Sequence, residues 1–378
     1  MSWYKDTLGE VSEKIQTGPF GSQLHQSDYR DEGVPVIMPK DMLEGRISTL
    51  SIARISKEHV ERLNQHKVKS GDIIYSRRGD VGKCALITNK EEGWLCGTGC
   101  LKVTLNPNKI IPKFAFYQLQ RKESIGWLIN HAVGSTMLNL NTSILTKLPI
   151  EITDLDKQQS IVNVLASYDD LIENNQKQIE LLEESAQRLY KEWFVDLRFP
   201  GHENVEIIDG IPVEWEYLEF LDIAPIITGK KDANFSSENG KYLFFTCSQQ
   251  PLLAESYSYD CDAVILAGNG DFNVKLYRGK FEAYQRTYVL SPYKTEHLYL
   301  LFYTIKNRMN YLIQGASGST IKFLTKGMIA DIKVLVPTCE ILNQYNEIAE
   351  SLQRQLEVLT YQNKLLTEAR DRLLPKLM

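Results

Sequence analysis

Two stretches of this chain repeat a seam residue every three or four positions, and they restrict the fold more than anything else in it. In the first, Ile161, Leu165, Tyr168, Ile172, Asn175, Ile179, Leu182, Ala186 and Leu189 follow at spacings of four and three. In the second, the same spacing links Ile348, Leu352, Gln355, Leu359, Gln362, Leu366, Ala369 and Leu373. Spacing sustained over about four heptads is the signature of a coiled-coil seam. Neither stretch contains an internal glycine, and the second is closed by Pro375 near the chain end. Each seam carries one polar layer at its middle, Asn175 and Gln362, a device that fixes register at a cost in stability. The two helices are expected to pack antiparallel within the chain with Asn175 facing Gln362. A parallel pair would match the same two residues and stays open.

The helices end two copies of one pattern. "WYKDTLGEVSEKIQTG" opens the first half and "WEYLEFLDIAPIITG" the second. Each half then offers a strand ending in a Gly-Asp loop, "GDIIYSRRGD" at 71–80 and "CDAVILAGNGD" at 261–271. A further strand, an amphipathic helical run and a small loop follow, Gly134-Ser135-Thr136 in one copy and Gly318-Ser319-Thr320 in the other. Such order points to a tandem duplication; two unrelated α+β domains with common loop types are the alternative. The expected fold is α+β: a first domain at 1–153, a central helix at 154–198, a second domain at 199–340 and a C-terminal helix at 341–378.

Composition narrows the function classes. No apolar run approaches the roughly 18 residues that span a bilayer, and the N-terminus lacks a signal-like apolar core, so a cytoplasmic location is expected. Cys84, Cys96, Cys100, Cys247, Cys261 and Cys339 form no CxxC pair, and Cys96 and Cys100 read as buried free thiols rather than metal ligands. There is no phosphate-binding GxxxxGK[ST] loop, and Asn106-Pro107-Asn108-Lys109 reads as a turn rather than a methyltransferase motif. Asp169-Asp170 reads as solvated helix surface. No catalytic group, metal or cofactor is expected. The net charge of −5 does not mark a nucleic-acid binder, yet residues 1–150 hold about 20 Lys and Arg against about 15 Asp and Glu.

The loops carry recognition chemistry. Ser22, Gln23 and Lys40 lie in or near the first glycine-rich loop, Arg77, Arg78 and Lys83 in the "SRRGDVGK" turn, and Ser135 and Thr136 in the small loop. The second copy offers Lys230, Lys231, Asn269, Asn273, Lys275, Gln285, Arg286, Ser319, Thr320 and Lys322. Glycine lets backbone approach a ligand closely, and Arg, Asn and Gln have the donor sets that contact phosphates or base edges. Ordinary solvated loops would hold the same residue types.

Taken with the helices, "QQSIVNVLASYDDLIENNQKQIELLEESAQRLYKEWFVDLRFPG", "GIPVEWEYLEF", "GDIIYSRRGDVGKCAL" and "LTEARDRLLPKLM" make the chain resemble the specificity subunit of type I restriction–modification systems. That resemblance implies two target-recognition domains, each reading half of a split, asymmetric site on double-stranded DNA. It implies docking of two modification subunits that methylate adenine, with restriction subunits joining through them, and a monomer within a hetero-oligomer. The helices would act as a ruler: Ile161 to Leu189 is about 42 Å at 1.5 Å per residue, roughly 12 base pairs. A coiled-coil scaffold without a DNA role and a self-contained DNA-modifying enzyme remain the rival classes.

Overall fold

The computed structural model describes residues 3–134, 137–316, 318 and 322–378. Its chain forms two compact units, residues 1–174 with 363–378 and residues 175–362.

In the first unit the strands Ser12–Thr17, Cys100–Leu105, Ile73–Ser76 and Cys84–Leu86 lie side by side in that order, all antiparallel. "IIYS" is apolar along nearly its whole length because both faces of this sheet are covered. Alternate side chains point to opposite faces. Ile73 and Tyr75 pack with Phe114 and Leu119 of the helix Pro112–Leu119, while Ile74 packs with Ile37, Met42 and Val68. Pro112 opens that helix at a position where its missing N–H has no helical partner to lose. Strand Tyr4–Thr7 pairs antiparallel with Pro149–Ile152, which leads into the central helix Leu155–Phe194.

The second unit repeats this plan. Ile227–Thr228, Thr287–Leu290, Tyr259–Ala267 and Val274–Ala283 lie in the same order, and Glu216–Glu219 pairs with Lys333–Val336 ahead of the C-terminal helix Cys339–Leu377. Short helices before those last strands are capped alike. Asn141 Oδ1 accepts from Ile144 N at 2.8 Å, and Thr325 Oγ1 accepts from Met328 N at 3.3 Å. The copies differ in their helices, where Leu298–Gly315 stands in place of Pro112–Leu119 and Lys122–His131, and in one strand. Val274–Ala283 continues far enough to take Tyr242–Phe245 as a parallel neighbour, giving six strands. Its counterpart is broken into Cys84–Leu86 and Leu95–Cys96. Between them the main chain turns at Gly93, φ +85°, and Thr88 is tied to the Glu91 carboxylate. "VKLYRGKFEA" also has a positive-φ glycine at its middle, Gly279 at φ +109°, yet stays paired with Tyr259–Ala267 through it.

The two long helices pair antiparallel. In the first unit Arg370 Nη1 donates to Asp169 Oδ1 at 2.9 Å and Asn363 Nδ2 donates to the Ile172 carbonyl at 3.3 Å, so numbers rise on one helix as they fall on the other. Leu373, Leu374 and Leu377 pack against the core that contains Ile161 and Leu165. In the second unit Asn175 Nδ2 donates to Gln362 Oε1 at 3.4 Å, and the Phe194 and Tyr345 rings meet edge to face at 4.8 Å.

Three expectations need correction. The first seam lies where the spacing puts it, but on the C-terminal helix the row Leu352, Leu359, Leu366, Leu373 turns inward as drawn, and of the other row only Ala369 does. The second row is Ala349, Leu356, Asn363 and Arg370, one residue along; Ile348 is 42% exposed, and Gln355 and Gln362 are exposed too. Gln362 reaches Asn175 from the helix edge, and Asn363 is the residue inside. Both rows keep a seven-residue spacing; the row drawn is one residue off throughout, because the inward row carries the polar Asn363 and Arg370, which do not read as seam residues. Asp169, read as solvated, is largely buried instead. It accepts from the Tyr117 hydroxyl and from Arg370, with Lys113 Nζ at 3.9 Å. Pro375 sits within the last helical turns rather than ending them.

Removing one partner of a buried ion pair leaves the other charge uncompensated. Asp169→Ala should lower stability by roughly 2–4 kcal/mol, measured as a shift in the urea midpoint of the purified chain. The double variant Asp169→Leu/Arg370→Leu should recover most of that loss.

Candidate nucleic-acid interface

The loops singled out in each half come together, and the same main-chain bonds hold them in both units. In the first, Arg77 N donates to Gly99 O at 2.8 Å and Leu140 N donates to Arg77 O at 2.8 Å. In the second, Gly268 N donates to Arg286 O at 2.9 Å and Leu324 N donates to Gly268 O at 2.7 Å. One residue further, Arg78 forms an isolated antiparallel bridge with Asn139, and Asn269 forms one with Phe323. The next residue is glycine in the left-handed region each time, Gly79 at φ +75° and Gly270 at φ +65°. The glycines that open the small loops match as well, Gly134 at +119° and Gly318 at +110°. Only glycine takes such angles without strain.

The Thr-Gly pairs complete the junction. Gly18 N donates to Cys100 O at 2.9 Å, and Gly229 N donates to Thr287 O at 2.8 Å. A methyl group at Gly18 would stand 2.0 Å from the Gly97 carbonyl oxygen; at Gly229 it would stand 2.2 Å from that of Tyr284. Both threonine–glycine signals therefore mark places where one backbone passes hard against another.

The predicted site residues distribute unevenly over this frame. Arg78 is exposed; its carbonyl accepts from Ser76 Oγ at 2.9 Å, and its side chain has no hydrogen bond or ion pair among the described residues. Arg77 is half-buried, its guanidinium 5.5 Å from the centre of the Phe20 ring and its Nε buried without a partner among the described residues. Gln23 accepts from Phe20 N at 3.1 Å and so shapes the loop that presents this ring, with Ser22 exposed beside it. Lys40 Nζ donates to Ser51 O at 3.1 Å. Lys83 lines a separate cleft of about 640 Å³ with Asp80, Tyr117, Arg121 and Arg370. In the second unit Lys230 stands over Tyr259 at 5.4 Å and Lys231 over Phe235 at 4.3 Å. Gln285 N donates to Lys231 O at 2.9 Å, which brings Gln285 and Arg286, both exposed, to the same edge as Lys231. Asn269 is half-exposed with no side-chain partner among the described residues, and Lys322 is exposed. Asn273 and Lys275 face inward: Asn273 Nδ2 donates to Cys247 O at 3.1 Å and Lys275 Nζ to Ser248 O at 2.9 Å. Burial also pushes the Lys275 pKa down. These two donors pin the 247–248 segment instead of lying open. Ser135, Thr136, Ser319 and Thr320 lie outside the described residues.

Sequence reading missed Phe20, which is 52% exposed under a guanidinium, and the bridge partners Asn139 and Phe323. The last two stand at the same distance after the paired glycines, a signal that the repeat offset of 184 residues contains. Elsewhere the motifs behave as read. Asn108 N donates to Asn106 Oδ1 at 3.0 Å in a turn, and Cys96 is buried, its thiol pushed up to about 12 by that burial. No helix among the described residues is long and apolar enough to cross a membrane.

The family model described as "Type I restriction modification DNA specificity domain" matches residues 2–184 and again 212–368, one match for each repeat. The chain belongs to this family. A specificity subunit of the Escherichia coli type I restriction enzyme EcoDI is 40% identical over 149 residues, covering 39% of this chain but 33% of that protein. The MjaIX specificity subunit of Methanocaldococcus jannaschii is 24% identical over 384 residues, covering 93% of this chain and 87% of its own. The crystal structure of a type I S subunit from M. genitalium matches with a TM-score of 0.62 at 20% identity, over 100% of this chain and 96% of that one, a likeness of fold.

The matched crossings give a direct test of the duplicated frame. Gly18→Ala and Gly229→Ala should each cost roughly 1–3 kcal/mol by overpacking, seen as a lower thermal midpoint. Gly21→Ala, where an added methyl meets nothing within 4 Å, should leave the midpoint within about 0.5 kcal/mol of the parent.

Proposed function

We propose that this chain is the non-catalytic sequence-reading subunit of a type I restriction–modification system. Each unit reads one half of a bipartite, asymmetric DNA site, the paired helices set the spacer between the halves, and two adenine methyltransferase subunits dock on the chain. Restriction subunits join through those partners. The observation that carries this reading is the loop junction built twice on one backbone with different side chains, Arg-Arg-Gly-Asp in one unit and Gly-Asn-Gly-Asp in the other. A repeated frame with exchanged side chains suits two readers of different sequence better than it suits a structural repeat. Half-buried cations beside aromatic faces, Arg77 on Phe20 and Lys231 on Phe235, supply phosphate-binding or stacking groups at each.

The helices support the docking half of the proposal. Pairing covers one face of each and leaves apolar side chains on the others: Val164, Leu171 and Leu365 in the first unit, Leu181, Val358 and Tyr361 in the second. Large apolar side chains at repeated exposed helical positions suit partner contact. The DNA target and the methyl donor chemistry belong to what those partners and the loops together read.

Purified chain with a labelled methyl donor should transfer no methyl groups to DNA, and chain with its modification partner should transfer them to adenines within one split consensus. Robust transfer by the chain alone would refute the non-catalytic reading. Four residues inserted at matched points of both helices add about 6 Å to each. Mapped methylation should then show both half-sites unchanged and a spacer longer by about one to two base pairs. An unchanged spacer would count against the ruler.

A further inference from the structure

Resting on the DNA-reading function proposed above, we propose that the residue at the isolated bridge is the principal base-reading position of each unit, Arg78 in the first and Asn269 in the second. The pair they read differs accordingly: a G·C pair in the first unit's half-site and an A·T pair in the second's. The two residues occupy one place in the frame. Each follows the residue whose N–H and C=O are both taken by neighbouring main chain, each bridges to the segment after the small loop, and each precedes a left-handed glycine. Frame and side chain are thus decoupled, and the side chain can change without moving the backbone.

Chemistry selects these positions over their neighbours. Arg77 is engaged with Phe20, and its counterpart Gly268 has no side chain, so that position cannot read in both units. Asn273 and Lys275 spend their donors on Cys247 and Ser248. Arg78 and Asn269 have uncommitted side chains among the described residues. The arginine fork fits O6 and N7 of guanine, and the asparagine amide fits N6 and N7 of adenine. The acid that closes each loop, Asp80 and Asp271, is exposed. A carboxylate repels phosphate but accepts from the amino groups of cytosine, so its presence in both loops favours a base edge over the backbone.

The test maps methylated adenines genome-wide in cells carrying the chain with its modification partner. The parent complex should give a split consensus with a required G·C pair in one half and a required A·T pair in the other. Arg78→Ala should relax one G·C position in one half-site by about 5- to 100-fold, with the other half-site unchanged as an internal control on folding. Arg78→Lys keeps the charge without the fork and should still relax that same position. Asn269→Arg should exchange the A·T requirement of the other half for G·C. Uniformly weaker methylation of an unchanged consensus, restored by Arg78→Lys, would make Arg78 a phosphate contact and overturn the inference. So would a parent half-site with no position that responds to either residue. A parent complex without any split consensus would overturn the DNA-reading function itself, a result visible before any variant is made.

Discussion

A forty-residue helix with an apolar stripe along one side is not stable alone in water, and the chain covers that stripe with its own last helix. This pairing ties sequence extremes together. Leu373, Leu374, Leu377 and Met378 complete the core of a unit whose other members come from residues 3–174, and Arg370 neutralises Asp169 in the same unit. The first unit is therefore unfinished until the C-terminus has been made. Contacts of such separation carry a loop-closure cost before they contribute stability, which makes them a slow step in folding. The polar groups at the middle of the pair, Asn175 with Gln362 and Asn363 with the Ile172 carbonyl, favour the pairing in which each finds a partner.

Duplication explains what is held constant and what is free. Main-chain bonds among three loops recur in both units at closely similar lengths, and the glycines that permit them recur with the same sign of φ. Side chains between those fixed points differ in size, charge and donor pattern. Rigid frames with variable loops are where recognition residues concentrate, because the backbone places a side chain while its identity decides what is bound. Even the larger divergence, a ten-residue strand in one unit against a broken one in the other, leaves the junction intact.

Much of this was legible in the sequence, for physical reasons that also mark the limit. Glycines at left-handed turns and close crossings announce themselves because no other residue fits, and so the Thr-Gly, Gly-Asp and Gly-Ser-Thr repeats were found. The central helix seam was legible because its apolar residues keep to one row. The C-terminal seam was misread by one position because the inward residues there include Asn363 and Arg370, whose partners across the helix pair, the Ile172 carbonyl and Asp169, lie nearly 200 residues away in sequence. Asp169 was misread for the same reason. Lys275 and Asn273 looked like free donors because nothing local reveals the Cys247 and Ser248 carbonyls that take them. Phe20 carries no periodic signal at all; its role is visible only once Arg77 lies over it.

The central claim is that two copies of one frame read two half-sites independently. It is tested most directly by replacing residues 212–338 with a second copy of residues 2–154 and mapping methylation with the modification partner present. The account predicts a site composed of the first unit's half-site twice, with the parental spacer. Retention of the original second half-site, or a consensus in which both halves change, would contradict it.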